Sequence, residues 1–149
     1  MPTEKKSKEA PGTYVTNPTQ QVVVVDDSAT QIAIYERSIK SLTVQLNAFR
    51  ATDDALEFLH RTNIDLLFLD LVMTGTDGMT FLREFRRLDL HAATNVVIIT
   101  AKDYAQDRAL AKELGALDYL VKPLRSQEIR DIICTHTAAK SSANDYADS

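Results

Sequence analysis

Leu66-Leu67-Phe68-Leu69-Asp70-Leu71-Val72-Met73, running on to Gly75 and Gly78, is the stretch from which the rest of the chain is read. Four consecutive apolar residues fit a strand buried on both faces, since a strand with one wet face would alternate. The run stops at a carboxylate, and the glycines mark a turn. In an open parallel sheet, ligands bind in the crevice outside the carboxyl ends of the strands. Asp70 therefore has two readings, a cap on the turn or a member of a site. The other strand ends decide between them.

Val22 to Val25 is a second continuous apolar run, ending in Asp26-Asp27, and Ser28 then stands as N-cap before Ile32, Tyr35, Ile39 and Leu42 at helical spacing. Val44, Leu46 and Ala48 alternate with polar residues, as on a half-buried edge strand, and Thr52 is expected to cap a short helix carrying Ala55, Leu56 and Leu59. Beyond the central run, Phe81, Leu82, Phe85 and Leu88 mark a helix face, and Val96 to Ile99 form a fourth strand ending at Thr100-Ala101. Asp103 is the expected cap of the next helix and Gly115 its stop. Leu117 to Val121 is the fifth strand, ending at Lys122-Pro123, and Ile129, Ile132 and Ile133 form the buried stripe of the last helix. Five strands alternating with five helices predict an α/β fold, a single doubly wound parallel sheet with helices on both faces. Residues 1–20, charged and without apolar periodicity, read as a flexible N-terminal arm, 21–138 as the folded domain, and 139–149 as a polar tail or the start of a linker.

A chain of 149 residues is the size of one domain, and 44% hydrophobic with 26% charged residues is ordinary for a soluble one. A net charge of -4 argues against a surface for phosphate backbones, so no direct nucleic-acid partner is expected. No apolar run approaches a membrane span and no secretory signal follows Met1, which predicts a cytoplasmic protein with no membrane partner. One cysteine, Cys134, excludes an internal disulfide; beside Ile132 and Ile133 it is expected to be a buried packing residue. His60, His91 and His136 are too dispersed for a metal set and are expected to be solvated.

Each buried strand thus ends in a polar residue of its own kind: Asp26 and Asp27, Asp70, Thr100, Lys122. Here the chain resembles the receiver domain of two-component response regulators, the chemotaxis-type, flavodoxin-like fold, over about residues 21–138. The resemblance rests on Asp26-Asp27, on Asp70-Leu71-Val72-Met73 with Gly78, on Thr100-Ala101 and on Lys122-Pro123, in the family's order and spacing. It implies a strand order of 2-1-3-4-5. Strands one and three are then neighbours about 4.8 Å apart, so three carboxylates crowd together, and Lys122 reaches them from a strand roughly 10 Å away. At about 5 Å and an effective dielectric near 20, each carboxylate pair repels by about 3 kcal/mol. Positive charge has to offset this: Lys122 supplies one, and a divalent cation with hard oxygen ligands, Mg²⁺, is the natural second. The bland alternative is an acidic pocket relieved by protonation or solvent.

The resemblance also implies roles. Asp70 is the phosphoacceptor, served by a sensor histidine kinase or a phosphotransfer protein. Asp27, Asp70 and the backbone carbonyl of Val72 hold Mg²⁺, with Asp26 acting through a water. Lys122 and Thr100 hold phosphoryl oxygens, Ala101 leaves the approach open, and Pro123 follows a cis peptide. Thr100 and Tyr119 form a switch pair, the ring turning inward to alter a surface near Arg108, Lys112, Tyr119 and Arg125. A downstream effector, or a second copy in a phosphorylation-dependent homodimer, binds there. Two departures stand out: Thr74 replaces the family's usual proline, which predicts a less rigid loop, and Val72, unlike a polar residue, cannot orient a hydrolytic water, which predicts a long-lived phosphoryl group that Lys102 can offset. Competing readings are a receiver placed before a cyclic-dinucleotide phosphodiesterase domain, an aspartyl-phosphate phosphatase or phosphotransferase, which would want an acid at position 72, and a nucleotide-binding flavodoxin-like module, for which no glycine-rich phosphate loop is present.

Overall fold

The computed structural model describes residues 19–141. In chain order it runs β1 (Gln20–Val25), α1 (Ala29–Ser38), β2 (Val44–Phe49), α2 (Thr52–Leu59), β3 (Leu66–Leu69), β4 (Val72–Met73), β5 (Thr76–Asp77), α3 (Gly78–Arg87), a 3-10 turn (Asp89–His91), β6 (Val96–Thr100), α4 (Ala105–Glu113), β7 (Asp118–Val121) and α5 (Ser126–His136). The main sheet is parallel, in the order β2-β1-β3-β6-β7. Leaving aside the small β4-β5 hairpin, that is the expected 2-1-3-4-5.

The continuous apolar runs are explained by two-sided burial. Val23, Val25, Leu67, Leu69, Val96 and Ile98 meet α2, α3 and α4 through Ala55, Leu59, Phe81, Leu82, Phe85 and Ala111. Their neighbours Val22, Val24, Leu66, Phe68, Val97 and Ile99 meet Tyr35 of α1 and Ile129 and Ile133 of α5. Each such side chain contributes about 1.5–3 kcal/mol by leaving water. Ser28 caps α1 as expected, accepting the Gln31 N–H, and Gly115 ends α4 at φ 84°, a backbone region open mainly to glycine.

Other local expectations are corrected. Thr52 is the first residue of α2, not its cap; its hydroxyl donates across to Thr76 Oγ1 at 3.3 Å. Tyr104 is the N-cap of α4, and Asp103 pairs with Arg108 Nε at 2.6 Å. Ala48 is exposed, whereas Phe49 packs inward on the α2 side. Cys134 is exposed, because one helical step of about 100° carries it off the Ile129-Ile133 stripe. The expected arm and tail lie outside the described residues except at their inner ends. There, Gln20 already belongs to β1, Ala139 is buried, Lys140 exchanges hydrogen bonds with Thr43, and Ser141 forms an antiparallel bridge with Leu42. Residues 139–141 are therefore docked on the backbone groups that lead into the edge strand.

His91 is the largest departure, fully buried where solvation was expected. Its ring stacks on Phe85 at 4.6 Å, Nε2 lies 2.8 Å from the Leu59 carbonyl and Nδ1 2.9 Å from Thr94 Oγ1. Arg86 completes this end of the sheet, its guanidinium donating to the carbonyls of His91, Thr94, Leu114 and Gly115. Burial holds the imidazole below its ordinary pKa, so the unfolded chain takes up the proton first. Stability contributed here is present above the unfolded value of about 6.5 and falls as the pH drops below it. His91→Phe keeps the stacking but leaves the Leu59 carbonyl unpaired, and is expected to cost about 1–3 kcal/mol in urea unfolding at pH 7.5. The variant should also show a weaker loss of stability between pH 7.5 and 5.5; an unchanged pH profile would show that His91 does not supply it.

Candidate functional site

The sheet register assembles the site. Val25 pairs with Leu69, and Asp70 N–H donates to the Val25 carbonyl at 3.0 Å, so the acids that follow β1 and β3 leave the sheet side by side. Thr100 pairs with Val121, and Lys122 N–H donates to the Thr100 carbonyl at 2.8 Å, which brings the lysine to the same edge. The Lys122-Pro123 peptide is cis. Gly78 is needed as such, because a Cβ there would lie 2.5 Å from the Asp70 carbonyl oxygen.

Within the site, Lys122 Nζ donates to Asp70 Oδ2 at 3.0 Å and forms an ion pair with Asp26 Oδ2 at 2.9 Å. Asp26 and Asp70 are buried and Asp27 is half-buried. The other oxygens are oriented by backbone donors: Ser28 N–H to Asp26 Oδ1 at 2.9 Å, Val72 N–H to Asp70 Oδ1 at 3.0 Å, and Thr74 N–H to Asp27 Oδ2 at 2.6 Å. One oxygen from each of the three acids fits within 4.8 Å of the others. Thr100 Oγ1 is fully buried at the neighbouring strand end and has no partner among the described residues.

These surroundings split the acids. Burial pushes the Asp26 carboxyl above its ordinary value despite Lys122, while the Thr74 N–H holds Asp27 below it. Burial pulls on Lys122 as well, but its two carboxylates outweigh that and keep the ammonium protonated. Three acids against one amine leave the pocket short of positive charge. Oxygen-only donors from three carboxylates, two of them buried, fit a hard divalent cation.

All the predicted site residues except Tyr119 lie at this edge. Tyr119 is in β7, already 7% exposed rather than waiting to turn inward: its hydroxyl donates to the Lys102 carbonyl at 2.8 Å, and Arg108 lies over the ring at 4.7 Å while bonding the Tyr119 carbonyl. The Val72 side chain points out, 47% exposed. Sequence reading missed the β4-β5 hairpin that carries Val72 and Thr74, and Arg50, whose Nε donates to the Asp27 carbonyl at 3.1 Å. The one available signal was Thr74 itself, a residue with an N–H where proline has none.

The chain matches the family described as the response regulator receiver domain over residues 22–134. It is 35% identical over 111 residues to the cyclic di-GMP phosphodiesterase response regulator RpfG of Xanthomonas campestris pv. campestris, a match that covers 73% of this chain and 29% of that protein. The chain thus spans under a third of that relative's length. Among solved structures it is similar to the signal receiver domain of a LuxO repressor protein from Vibrio parahaemolyticus, at 25% identity and a TM-score of 0.72, covering 78% of this chain and 88% of the other. It is also similar in fold to the receiver domain of the sensor histidine kinase PA1611 from Pseudomonas aeruginosa, described with magnesium in its active-site cleft, at 23% identity and a TM-score of 0.69, covering 78% and 96%.

The charge imbalance has a measurable consequence. Since the folded-state pKa of Asp26 is raised, its contribution to stability is greatest in acid and is lost as the pH rises through that value. In chelator at neutral pH, Asp26→Asn should therefore unfold later than the unsubstituted chain, by on the order of 1 kcal/mol. Mg²⁺ at a hundred times its dissociation constant should stabilise the unsubstituted chain by about 2.7 kcal/mol. Thermal unfolding that ignores Mg²⁺ would contradict the charge argument.

Proposed function

Because the chain belongs to the response regulator receiver family, we propose that it accepts a phosphoryl group on Asp70 from a sensor histidine kinase or a phosphotransfer protein and signals to a downstream effector protein or domain. The observation that supports this most strongly is the Lys122 ammonium, 3.0 Å from Asp70 Oδ2 and 2.9 Å from Asp26 Oδ2, within an acid cluster at the strand ends. It is a signalling role in the cytoplasm, whose only chemistry is self-directed.

An Asp70 carboxylate oxygen attacks the phosphorus of the donor phosphohistidine. The O–P bond forms as the N–P bond breaks, and the imidazole leaves with the electron pair and is protonated by solvent. Mg²⁺, when bound, neutralises the oxygens of the group in flight. Asp27, Asp70 and the Val72 carbonyl would hold it, with Asp26 acting through a water. Lys122 turns from carboxylate to phosphoryl oxygen, keeping its charge on the acceptor. The Thr100 hydroxyl, which has no partner among the described residues, donates to a second oxygen. Thr100 is one strand from Tyr119, whose hydroxyl and ring are held by the Lys102 carbonyl and Arg108. Movement of Thr100 toward the new charge, roughly -1.5 to -2, thereby reaches the surface around Arg108, Lys112 and Arg125. An effector or a second copy of the chain docks there.

A second reading has support from the 35% identical relative, of which this match covers only 29%: the chain acts as the receiver part of a longer regulator with a cyclic-dinucleotide phosphodiesterase output. An immunoblot of the native protein distinguishes the two, by a band near the 16.6 kDa of this chain or one well above it.

Incubation with Mg²⁺ and a small acyl-phosphate donor, followed by intact-mass measurement, should add one phosphoryl group to the unsubstituted chain and none to Asp70→Asn. Equal modification of both would overturn the assignment. Thr100→Ala should still be phosphorylated but lose most of the phosphorylation-dependent gain in partner affinity; an unchanged gain removes the switch role. With apolar Val72 at the mouth, the acyl phosphate should outlast a decay assay of minutes in Mg²⁺ buffer, and loss within seconds would contradict that.

A further inference from the structure

The acid Asp27 is held from outside its own strand in two places, by Thr74 and Arg50, residues to which the phosphoryl reading gives no role. Thr74 N–H donates to Asp27 Oδ2 at 2.6 Å, and Arg50 Nε donates to the Asp27 carbonyl at 3.1 Å. A further bond, Thr52 Oγ1 to Thr76 Oγ1, ties the hairpin that carries Thr74 to the start of α2. A small cavity of about 130 Å³ lined by Arg50, Thr52, Asp53, Met73, Thr74 and Thr76 lies beside these contacts.

Resting on the phosphoacceptor reading, we propose that the backbone N–H of Thr74 is a positioning group for the cation site. By occupying Oδ2 it fixes the rotation of the Asp27 carboxylate and leaves the lone pairs of Oδ1 for a divalent cation. A carboxylate on a half-exposed strand end otherwise samples several rotamers, and a cation that binds it must first order it. A donor already seated on one oxygen meets that cost when the chain folds. Partners of this outer kind, which orient a ligand without touching the metal, change affinity by roughly 10- to 100-fold. The hold also joins the acceptor loop to the acid pair, since the same hairpin presents the Val72 carbonyl.

The turn geometry makes the idea cleanly testable. In Met73-Thr74-Gly75-Thr76 only Gly75 has positive φ, at 82°, and among the described residues positive φ is confined to glycines. That is the signature of a type II turn, in which proline is common at the position of Thr74. Met73, in an extended strand, has the conformation a following proline favours. Thr74→Pro therefore retains the turn and deletes the one N–H, whereas Thr74→Ala retains the N–H and deletes the hydroxyl.

The test is calorimetric titration of the full chain with Mg²⁺, and with Mn²⁺ as a second probe, in Thr74→Pro, Thr74→Ala and Asp27→Asn. Thr74→Pro should bind about tenfold more weakly, Thr74→Ala within twofold of the unsubstituted chain, and Asp27→Asn more weakly than either. Binding by Thr74→Pro equal to the unsubstituted chain, with Asp27→Asn still impaired, overturns the positioning role and leaves the phosphoacceptor reading standing. Loss in Thr74→Ala as large as in Thr74→Pro assigns the effect to the hydroxyl and also overturns it. Undiminished binding in Asp27→Asn overturns the cation site itself. Amide hydrogen exchange on the unsubstituted chain is the independent check: the Thr74 N–H should be protected, and exchange as fast as in an open loop would refute the proposal however Thr74→Pro folds.

Discussion

One lysine is shared by two buried carboxylates, and the rest of the site follows from that arrangement. Asp26 and Asp70 follow different strands, and both buried carboxylates face the Lys122 ammonium at about 3 Å, which offsets part of the cost of taking them out of water. The lysine reaches them because its strand lies two places from β3 in the sheet. Asp27 then adds a third negative charge that the lysine does not balance. The pocket is thereby left short of positive charge in the place where a phosphoryl group, with its own negative oxygens, is proposed to be received. The destabilising part of the structure and the part proposed to do chemistry are the same.

The sequence disclosed the elements whose signal is repeated along the chain. Leu66 to Leu69 and Val96 to Ile99 announce strands because both of their faces are covered, and Asp26, Asp70, Thr100 and Lys122 stand out because each interrupts such a run at its end. The β4-β5 hairpin was not legible. Strands of two residues have no period to detect, and Val72-Met73-Thr74-Gly75-Thr76-Asp77 reads only as a turn-rich stretch. His91 escaped because its burial depends on Leu59 and Phe85, partners brought to it by folding. Thr52 and Asp103 both carry capping chemistry, but the Thr52 hydroxyl meets Thr76 on the hairpin, and the Asp103 carboxylate pairs with the Arg108 side chain of the helix it was expected to cap. At Thr52 and His91 local propensity gave way to partners from far along the chain, and at Asp103 to a cation within the helix that follows it.

The two ends of the sheet are built on opposite principles. At the amino ends of β6 and β7, Arg86 satisfies four carbonyls and His91 uses both ring nitrogens, which makes a closed, saturated network. At the carboxyl ends, Thr100 Oγ1 is buried without a hydrogen-bond partner among the described residues, and three carboxylates share one ammonium. Tyr119, held by Arg108 and the Lys102 carbonyl, stands on the strand next to that of Thr100. The Arg108-Asp103 pair beside it is exposed, and such pairs are readily rearranged by a partner.

The most direct test is a crystal structure of the chain grown with Mg²⁺ and beryllium fluoride, an acyl-phosphate mimic. The account predicts a fluoroberyllate on an Asp70 oxygen, in contact with Lys122 Nζ and Thr100 Oγ1, with the cation between Asp27 and Asp70. An adduct on another side chain, or one on Asp70 with Lys122 still turned to Asp26 and Thr100 unengaged, would contradict it.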